Sequence, residues 1–237
     1  MSHIIWHDVE CGRYDADFAL WRELAAAAHG PVLDVGAGTG RVTVDLALRG
    51  HEVVALDIDP QLLEELRQRA TGLRVQTAVG DARSFSLPGR IFPLIIAPMQ
   101  TVQLLGAAGR TSFLHVARAH LAPGGLVACA LADAFDTFDG EHVFLPLPDV
   151  LVVDGMRYTS QPVALRDQGT RVAVERIRET VSADGRRTAS DNVIHLDRVD
   201  RRVIEAEAAA AGLRPVSPRW IAETEEHVGS IVVMLRG

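Results

Sequence analysis

Lysine is missing altogether, and every one of the 24 basic residues is an arginine. Without a lysine amine the chain cannot form a Schiff base, and it cannot build the Gly-Lys-Ser/Thr phosphate loop. Cysteine occurs twice, at Cys11 and Cys129. With no Cys-x-x-Cys pair, neither a disulfide framework nor a zinc knuckle is supported, and no metal-ligand spacing stands out elsewhere. Positive charge is also short, because 24 arginines face 31 acidic residues and the net charge is −7. That sign speaks against nucleic acid and anionic membrane surfaces as partners. No apolar run approaches the roughly 20 residues of a membrane span, and polar residues between Trp6 and Arg13 interrupt a signal-like start. The expected location is a reducing cytoplasm.

What is present is the composition of an ordinary globular chain. Its 237 residues are 48% hydrophobic and 23% charged, enough for one sizeable core and one domain over residues 1–237. The chain opens with a helical stretch, residues 1–29, in which Phe18, Trp21 and Leu24 recur at helical spacing. Short apolar strands follow at Val32–Val35, Val53–Asp57, Leu73–Ala78, Leu94–Ala97 and Leu126–Leu131. Helical patterns at Arg41–Arg49, after Asp59–Pro60, and near Thr111–Leu121 separate them. Alternation of strand and helix from about 30 to 133 predicts an α/β fold with a parallel, doubly wound sheet.

The rhythm then changes. Val150–Val153, Tyr158–Leu165, Arg171–Val181 and Arg187–Leu196 read as period-two strands. The turns between them, at Asp154–Gly155, Asp167–Gln168–Gly169 and Asp184–Gly185, carry glycine at hairpin positions. An antiparallel sheet inserted over residues 141–196 is therefore expected. A helix over about Asp200–Ala211 and a strand at Ile231–Leu235 close the chain. The alternating charges of Asp197–Arg202 read as a solvated helix start.

One segment carries chemistry, Val32-Leu-Asp34-Val-Gly36-Ala37-Gly38-Thr-Gly40. Glycines at every second position between a strand and a helix let the backbone turn tightly and let a ligand touch the main chain. A dinucleotide fingerprint would need its third glycine where Arg41 stands. Asp34 would also repel a pyrophosphate, whereas it suits a ligand bearing an ammonium and a sulfonium. These residues resemble the first motif of the class I S-adenosylmethionine-dependent methyltransferases, whose loop holds the methionine end of the cofactor. The resemblance continues at Asp57, matching the acid that binds the ribose hydroxyls, with Ile58 against the adenine. Val79-Gly-Asp81-Ala82 matches a third landmark, whose aspartate usually reaches the adenine amino group. After the fourth strand, Pro98, Met99, Gln100, Thr101 and Gln103 fall where the family places residues facing cofactor and acceptor. Leu121-Ala-Pro-Gly-Gly125 before strand five is a further family mark. Phe92–Pro93 departs from the family's common Phe-Asp, and the Asn/Asp-Pro-Pro-Tyr/Phe motif of the nucleobase and glutamine branch is absent.

The resemblance implies a mostly parallel, seven-stranded Rossmann-like methyltransferase sheet with an antiparallel cap. It implies S-adenosylmethionine as cofactor and methyl transfer to a nitrogen or oxygen of a small molecule. An insertion after strand five is similar to that of the small-molecule branch, where it roofs the acceptor pocket. Candidate acceptor contacts are Tyr14, Gln100, Thr101, Gln103 and Tyr158. His142, His195 and His227 lie where a pocket roof could use a base, whereas His115 and His120 read as solvated on a surface helix. Trp6, His7, Tyr14 and Trp21 form either a closing lid or the packing of an amphipathic helix. Two rivals stay open, an NAD-dependent oxidoreductase and a noncatalytic S-adenosylmethionine-binding protein. A homodimer stays open as well.

Overall fold

The computed structural model describes residues 2–132, 141–143, 147–224 and 227–237, with residues 2 and 141–143 described by their backbone alone. Two helices open the chain, α1 (Ser2–Cys11) and α2 (Phe18–Ala27). Then come β1 (Val32–Val35), α3 (Arg41–Leu48), β2 (Val53–Asp57), α4 (Pro60–Arg69), β3 (Val75–Val79) and β4 (Phe92–Ala97). A short 3-10 turn (Thr101–Leu104), α5 (Gly106–Ala119) and β5 (Leu121–Ala132) complete the parallel part. The larger sheet has seven strands in the order β11-β12-β5-β4-β1-β2-β3. β1 to β5 are parallel, while β12 (Ser230–Arg236) runs antiparallel between β5 and β11 (Arg214–Ile221).

β1 is buried on both faces, as helices on either side of a parallel sheet require. On one face Leu33, Ile95, Val127 and Val233 pack with Phe113 and Leu114 of α5 and with Ile204 of α6 (Arg201–Ala210). On the other, Val32, Leu94 and Ile96 pack with Trp21 and Leu24 of α2 and with Val42 and Leu46 of α3. Strand order reverses between β1 and β4, so the crevice outside their carboxyl ends is where such a sheet leaves room for a ligand.

Two aspartates cap helix starts. Asp59 accepts hydrogen bonds from the Gln61 and Leu62 amides with Pro60 at the first helical position of α4. Asp200 accepts from the Val203 amide and starts α6 one residue later than its pattern suggested. β11 has no strand-like signature, since Pro215 and Pro218 interrupt it. It is tolerated because β11 is an edge strand with a register shift between Val216 and Arg219.

The second sheet has five strands. β10 (Arg187–Asp197), β9 (Arg171–Val181) and β8 (Met156–Asp167) pair in sequence, and β6 (Glu141–Val143) and β7 (Asp149–Val153) both pair with β8. Asp154 and Gly155 both have positive φ, +51° and +76°, the geometry of a two-residue hairpin turn. This sheet sits on the carboxyl end of β5, where Ala132 packs with Leu165, Val172 and Leu196. A buried polar tie reinforces the seam. Gln103 accepts the Ala132 amide at 2.9 Å and donates to the Asp197 carbonyl at 3.3 Å. Arg110 of α5 pairs with Asp197 and, at 3.0 Å, with Glu207. Asp197 is thus buried rather than solvated, because the arginine that matches it lies 87 residues away in the chain.

Candidate functional site

A cavity of about 500 Å³ opens at the carboxyl ends of β1, β2 and β4, within the range of small-molecule sites. Its floor is the glycine loop. Gly36 and Gly38 have φ of +75° and +55°, a region that a side chain makes costly. Space is equally short. A Cβ at Gly36 would stand 2.7 Å from Thr101 Cγ2, and one at Gly38 would collide with the His7 ring.

Asp57, at the end of β2, organises that floor. Its Oδ2 accepts the Gly38 amide at 2.8 Å and its Oδ1 accepts the Asp59 amide at 2.9 Å. One carboxylate thereby fixes the glycine loop and the entry of α4, and each oxygen keeps a second lone pair for a ligand. Asp34, in the middle of β1, is buried. Its Oδ2 accepts the Thr43 hydroxyl at 2.6 Å, while Oδ1 has no hydrogen-bond partner among the described residues. Burial pushes this carboxyl up to about 6, against the opposing pull of the Thr43 hydrogen bond and of Arg41. An orphaned carboxylate oxygen in the cavity wall is a place for a cationic donor.

The sequence-predicted cofactor residues come together here. Asp34, Gly36, Ala37, Asp57, Ile58, Asp81, Ala82, Pro98, Met99 and Gln100 all line the cavity, as does Thr101. Gly38 and Gly40 sit in the loop beneath it, where a Cβ on Gly40 would strike Leu66 of α4. Ile58 is 65% exposed at the mouth. Asp81 is held by Arg83, whose Nε and backbone amide donate at 2.8 and 2.9 Å, and those bonds draw its carboxyl down to about 2. Met99 adopts φ +54°, uncommon for a residue with a side chain, where the chain leaves β4 for the 3-10 turn.

The proposed acceptor residues are scattered instead. Tyr14 is buried in the core beside α2, its ring 4.8 Å from that of His227 and 5.1 Å from the Arg41 guanidinium. Neither Tyr14 nor His227 reaches the cavity. Gln103 is the structural tie already described. Tyr158 packs edge-on to Trp6 at 5.4 Å. His195 points to the outer face of β10 and bonds Gln168 at 3.0 Å; its neighbours Ile194 and Leu196 face the cavity, as strand alternation requires. The His142 side chain lies outside the described residues. His120 is half-buried rather than solvated, accepting the Leu87 amide at 3.0 Å with its ring 4.8 Å from Phe85.

The facing wall comes from His7, one of the lid-or-packing residues of the sequence reading, and from residues that reading did not single out. His7, Glu10 and Cys11 of α1 line the cavity with Ile194 and Leu196 of β10. Their spacing, three and four residues, puts all three α1 side chains on one helical face, the only signal the sequence offered. Glu10 also accepts from Ser160 at 2.8 Å and from Arg178 at 2.7 Å, tying α1 to the second sheet. Burial raises the Glu10 carboxyl, but the Arg178 and Ser160 hydrogen bonds outweigh it and hold the group below its usual range. Asp8 anchors the other side of α1 to Arg69 of α4 and accepts the Thr39 hydroxyl at 2.7 Å. Burial pushes the Cys11 thiol up to about 11, so it is no thiolate at neutral pH. Arg41 borders the cavity with its charge spent on Asp17, at 2.6 and 2.7 Å.

Comparison with known proteins points the same way. Residues 32–125 match the family described as "Methyltransferase domain". Malonyl-[acyl-carrier protein] O-methyltransferase of Serratia marcescens is 30% identical over 161 residues, covering 59% of this chain and 60% of that protein. The chain spans 17% to 60% of the length of the curated relatives such as these. Solved structures match more fully. The S-adenosylmethionine-bound amino pentose methyltransferase CalS10 of Micromonospora echinaspora superposes with a TM-score of 0.77 at 25% identity, covering 98% of this chain and 97% of the other. The sugar N-methyltransferase KedS8 of a Streptoalloteichus species shares the fold, with a TM-score of 0.77 at 18% identity over 100% of this chain and 93% of its own.

Proposed function

We propose that this chain, whose residues 32–125 match a methyltransferase domain, binds S-adenosylmethionine and transfers its methyl group to a small-molecule amine or hydroxyl. The observation that carries the reading is Asp34 Oδ1, a buried carboxylate oxygen in the wall of the cavity without a donor among the described residues. The methionine ammonium is the donor it lacks. Asp57 offers its free lone pairs to the vicinal ribose hydroxyls, Ile58 and Ala82 flank the adenine, and Asp81 reaches its amino group from the rim.

The cofactor, when bound, supplies an activated methyl on a sulfonium. The protein's share is alignment and exclusion of water. Gln100 and Thr101 border the acceptor side at the end of β4, and Ile194 and Leu196 close it with apolar surface. A neutral amine or a hydroxyl attacks in line. With the cofactor bound, the C–N or C–O bond would form as the C–S bond breaks with its electron pair kept by sulfur, and the acceptor would then release a proton. In this reading α1 closes the cavity and residues 141–196 roof the acceptor side. A cavity of this size, in a chain with excess negative charge, favours a small acceptor over a polyanion.

The test is formation of S-adenosylhomocysteine from S-adenosylmethionine, followed across a panel of amino sugars, simple amines and phenols. Acceptor-dependent formation is expected. Tight cofactor binding with no acceptor-dependent turnover would make the chain a noncatalytic binder.

A further inference from the structure

Two buried side-chain atoms have no hydrogen-bond partner among the described residues, Asp34 Oδ1 and Asn192 Oδ1. The first faces the cofactor in the reading above; the second lies on the inserted sheet. The β10–β9 register runs without interruption, pairing Asn192 with Arg176, Ile194 with Val174 and Leu196 with Val172. Asn192 therefore shares the face of β10 that carries Ile194 and Leu196 into the cavity, one step further out. The arginines on the facing strand bond other groups, and none of their N–H groups is hydrogen-bonded to Asn192 Oδ1. Arg176 gives its Nη1 hydrogens to Asp149 at 2.8 Å and to Ser160 at 2.9 Å. Arg178 donates from Nε and Nη2 to the two oxygens of Glu10, and the Ser160 hydroxyl donates to Glu10 as well.

A buried acceptor left without a donor destabilises a fold, and native chains keep few of them. One a strand step beyond the cavity-lining Ile194, on the same strand face and bonded by neither facing arginine, is explained if the donor arrives with the ligand. We propose that Asn192 Oδ1 accepts a hydrogen bond from a hydroxyl or N–H of the methyl acceptor, remote from the atom that is methylated. The acceptor is then a compact molecule with two functional ends. Its nucleophile lies near Gln100 and Thr101, its middle crosses Ile194 and Leu196, and a donor group reaches β10. Asn192 is in this sense a specificity residue, since a site built around an unpaired acceptor discriminates against ligands that lack the donor. The inference rests on the methyltransferase reading.

The experiment uses the full chain saturated with S-adenosylhomocysteine, with D-glucosamine and cyclohexylamine as probes. Both present an amine on a six-membered ring, but only glucosamine carries hydroxyl donors. Glucosamine should bind the wild type more tightly than cyclohexylamine. Asn192→Leu should erase that preference with a loss of about fivefold to tenfold for glucosamine, and Asn192→Asp, which keeps an acceptor oxygen in place, should retain it. S-adenosylhomocysteine affinity should be equal in all three proteins; failure there would strike the cofactor reading and not Asn192. The ligand-free Asn192→Leu protein should melt at the wild-type temperature or above, because an unpaired polar atom has been removed. A lower melting temperature would show that Asn192 is satisfied within the fold, by an internal water for example, and would overturn the proposal. Equal glucosamine binding by wild type and Asn192→Leu, including none by either, would overturn it too.

Discussion

The two walls of the cavity are built from different materials. The wall at the carboxyl ends of β1 and β2 is main chain and carboxylate, with glycines at positive φ, an amide clamped by Asp57 and a buried Asp34. The facing wall is ordinary side chains, His7, Glu10 and Cys11 on a helix and Ile194 and Leu196 on a strand. The first admits few residue types at each position, because backbone geometry and close approach decide them. The second tolerates any side chain of suitable size and polarity. The difference suggests that one wall holds a fixed ligand and the other sets which molecule meets it.

Removing the strand half of the second wall is the harshest way to break that contrast. Replacing residues 141–196 with a short Gly-Ser link should eliminate methyl transfer while leaving S-adenosylhomocysteine binding measurable by calorimetry. Native-rate turnover in the truncated protein would mean that the inserted sheet has no part in the site. Gly38→Val comes next and should abolish cofactor binding, since it adds φ strain of about 1–3 kcal/mol and drives a methyl into the His7 ring. Adding His7→Ala should restore part of the binding by removing the collision but not the strain. A Gly38→Val protein that folds and binds normally would reduce the loop to a turn.

Asp57→Ala should weaken S-adenosylhomocysteine binding by about 1–3 kcal/mol. The variant should also lower the melting temperature, because the Gly38 and Asp59 amides lose their acceptor. Far-UV dichroism should hardly change. Unaltered affinity would remove Asp57 from the site.

Asp34 gives the first wall a pH signature. Its folded carboxyl stands above the ordinary 3.8, at about 6, because it is buried. Ionising it as pH rises from about 4 to about 6 therefore costs the ligand-free fold stability, and a cationic ligand that pairs with the ionised form recovers that cost. Cofactor affinity should fall as pH drops below about 6, by at most about tenfold per unit, and Asp34→Asn should bind weakly with a flatter profile. An equally steep profile in Asp34→Asn would assign the titration to another group. The smallest effect belongs to the tie between α1 and the second sheet. Arg178→Ala should change S-adenosylhomocysteine affinity by about fivefold or less, as expected for a partly exposed ion pair, while raising the acceptor KM.

The same contrast explains what the sequence disclosed. Gly36, Gly38, Asp34 and Asp57 were legible because few other residues can occupy their geometry, and the strand–helix alternation around them carried the sheet. Hairpins of the insertion were legible from turns such as Asp154–Gly155. β11 was hidden by Pro215 and Pro218, which only an edge strand accepts. Tyr14, Gln103, His195 and His227 looked available for an acceptor because their partners lie far away in the chain or on the opposite face of a strand. Tyr14 found Arg41 and His227, and Gln103 found Ala132 and Asp197. Conversely His7, open between lid and packing in the sequence, and Glu10, which the sequence did not single out, stand in the cavity because α1 folds back over the glycine loop.

The central claim is that an acidic, glycine-floored wall selects a cationic nucleoside ligand over a pyrophosphate. Calorimetric titration of the ligand-free protein with S-adenosylmethionine, S-adenosylhomocysteine and NAD tests it most directly. Saturable binding of the first two, weakened in Asp34→Asn, with no heat from NAD, is the predicted result. Saturable NAD binding, or S-adenosylmethionine affinity indifferent to Asp34→Asn, would contradict it.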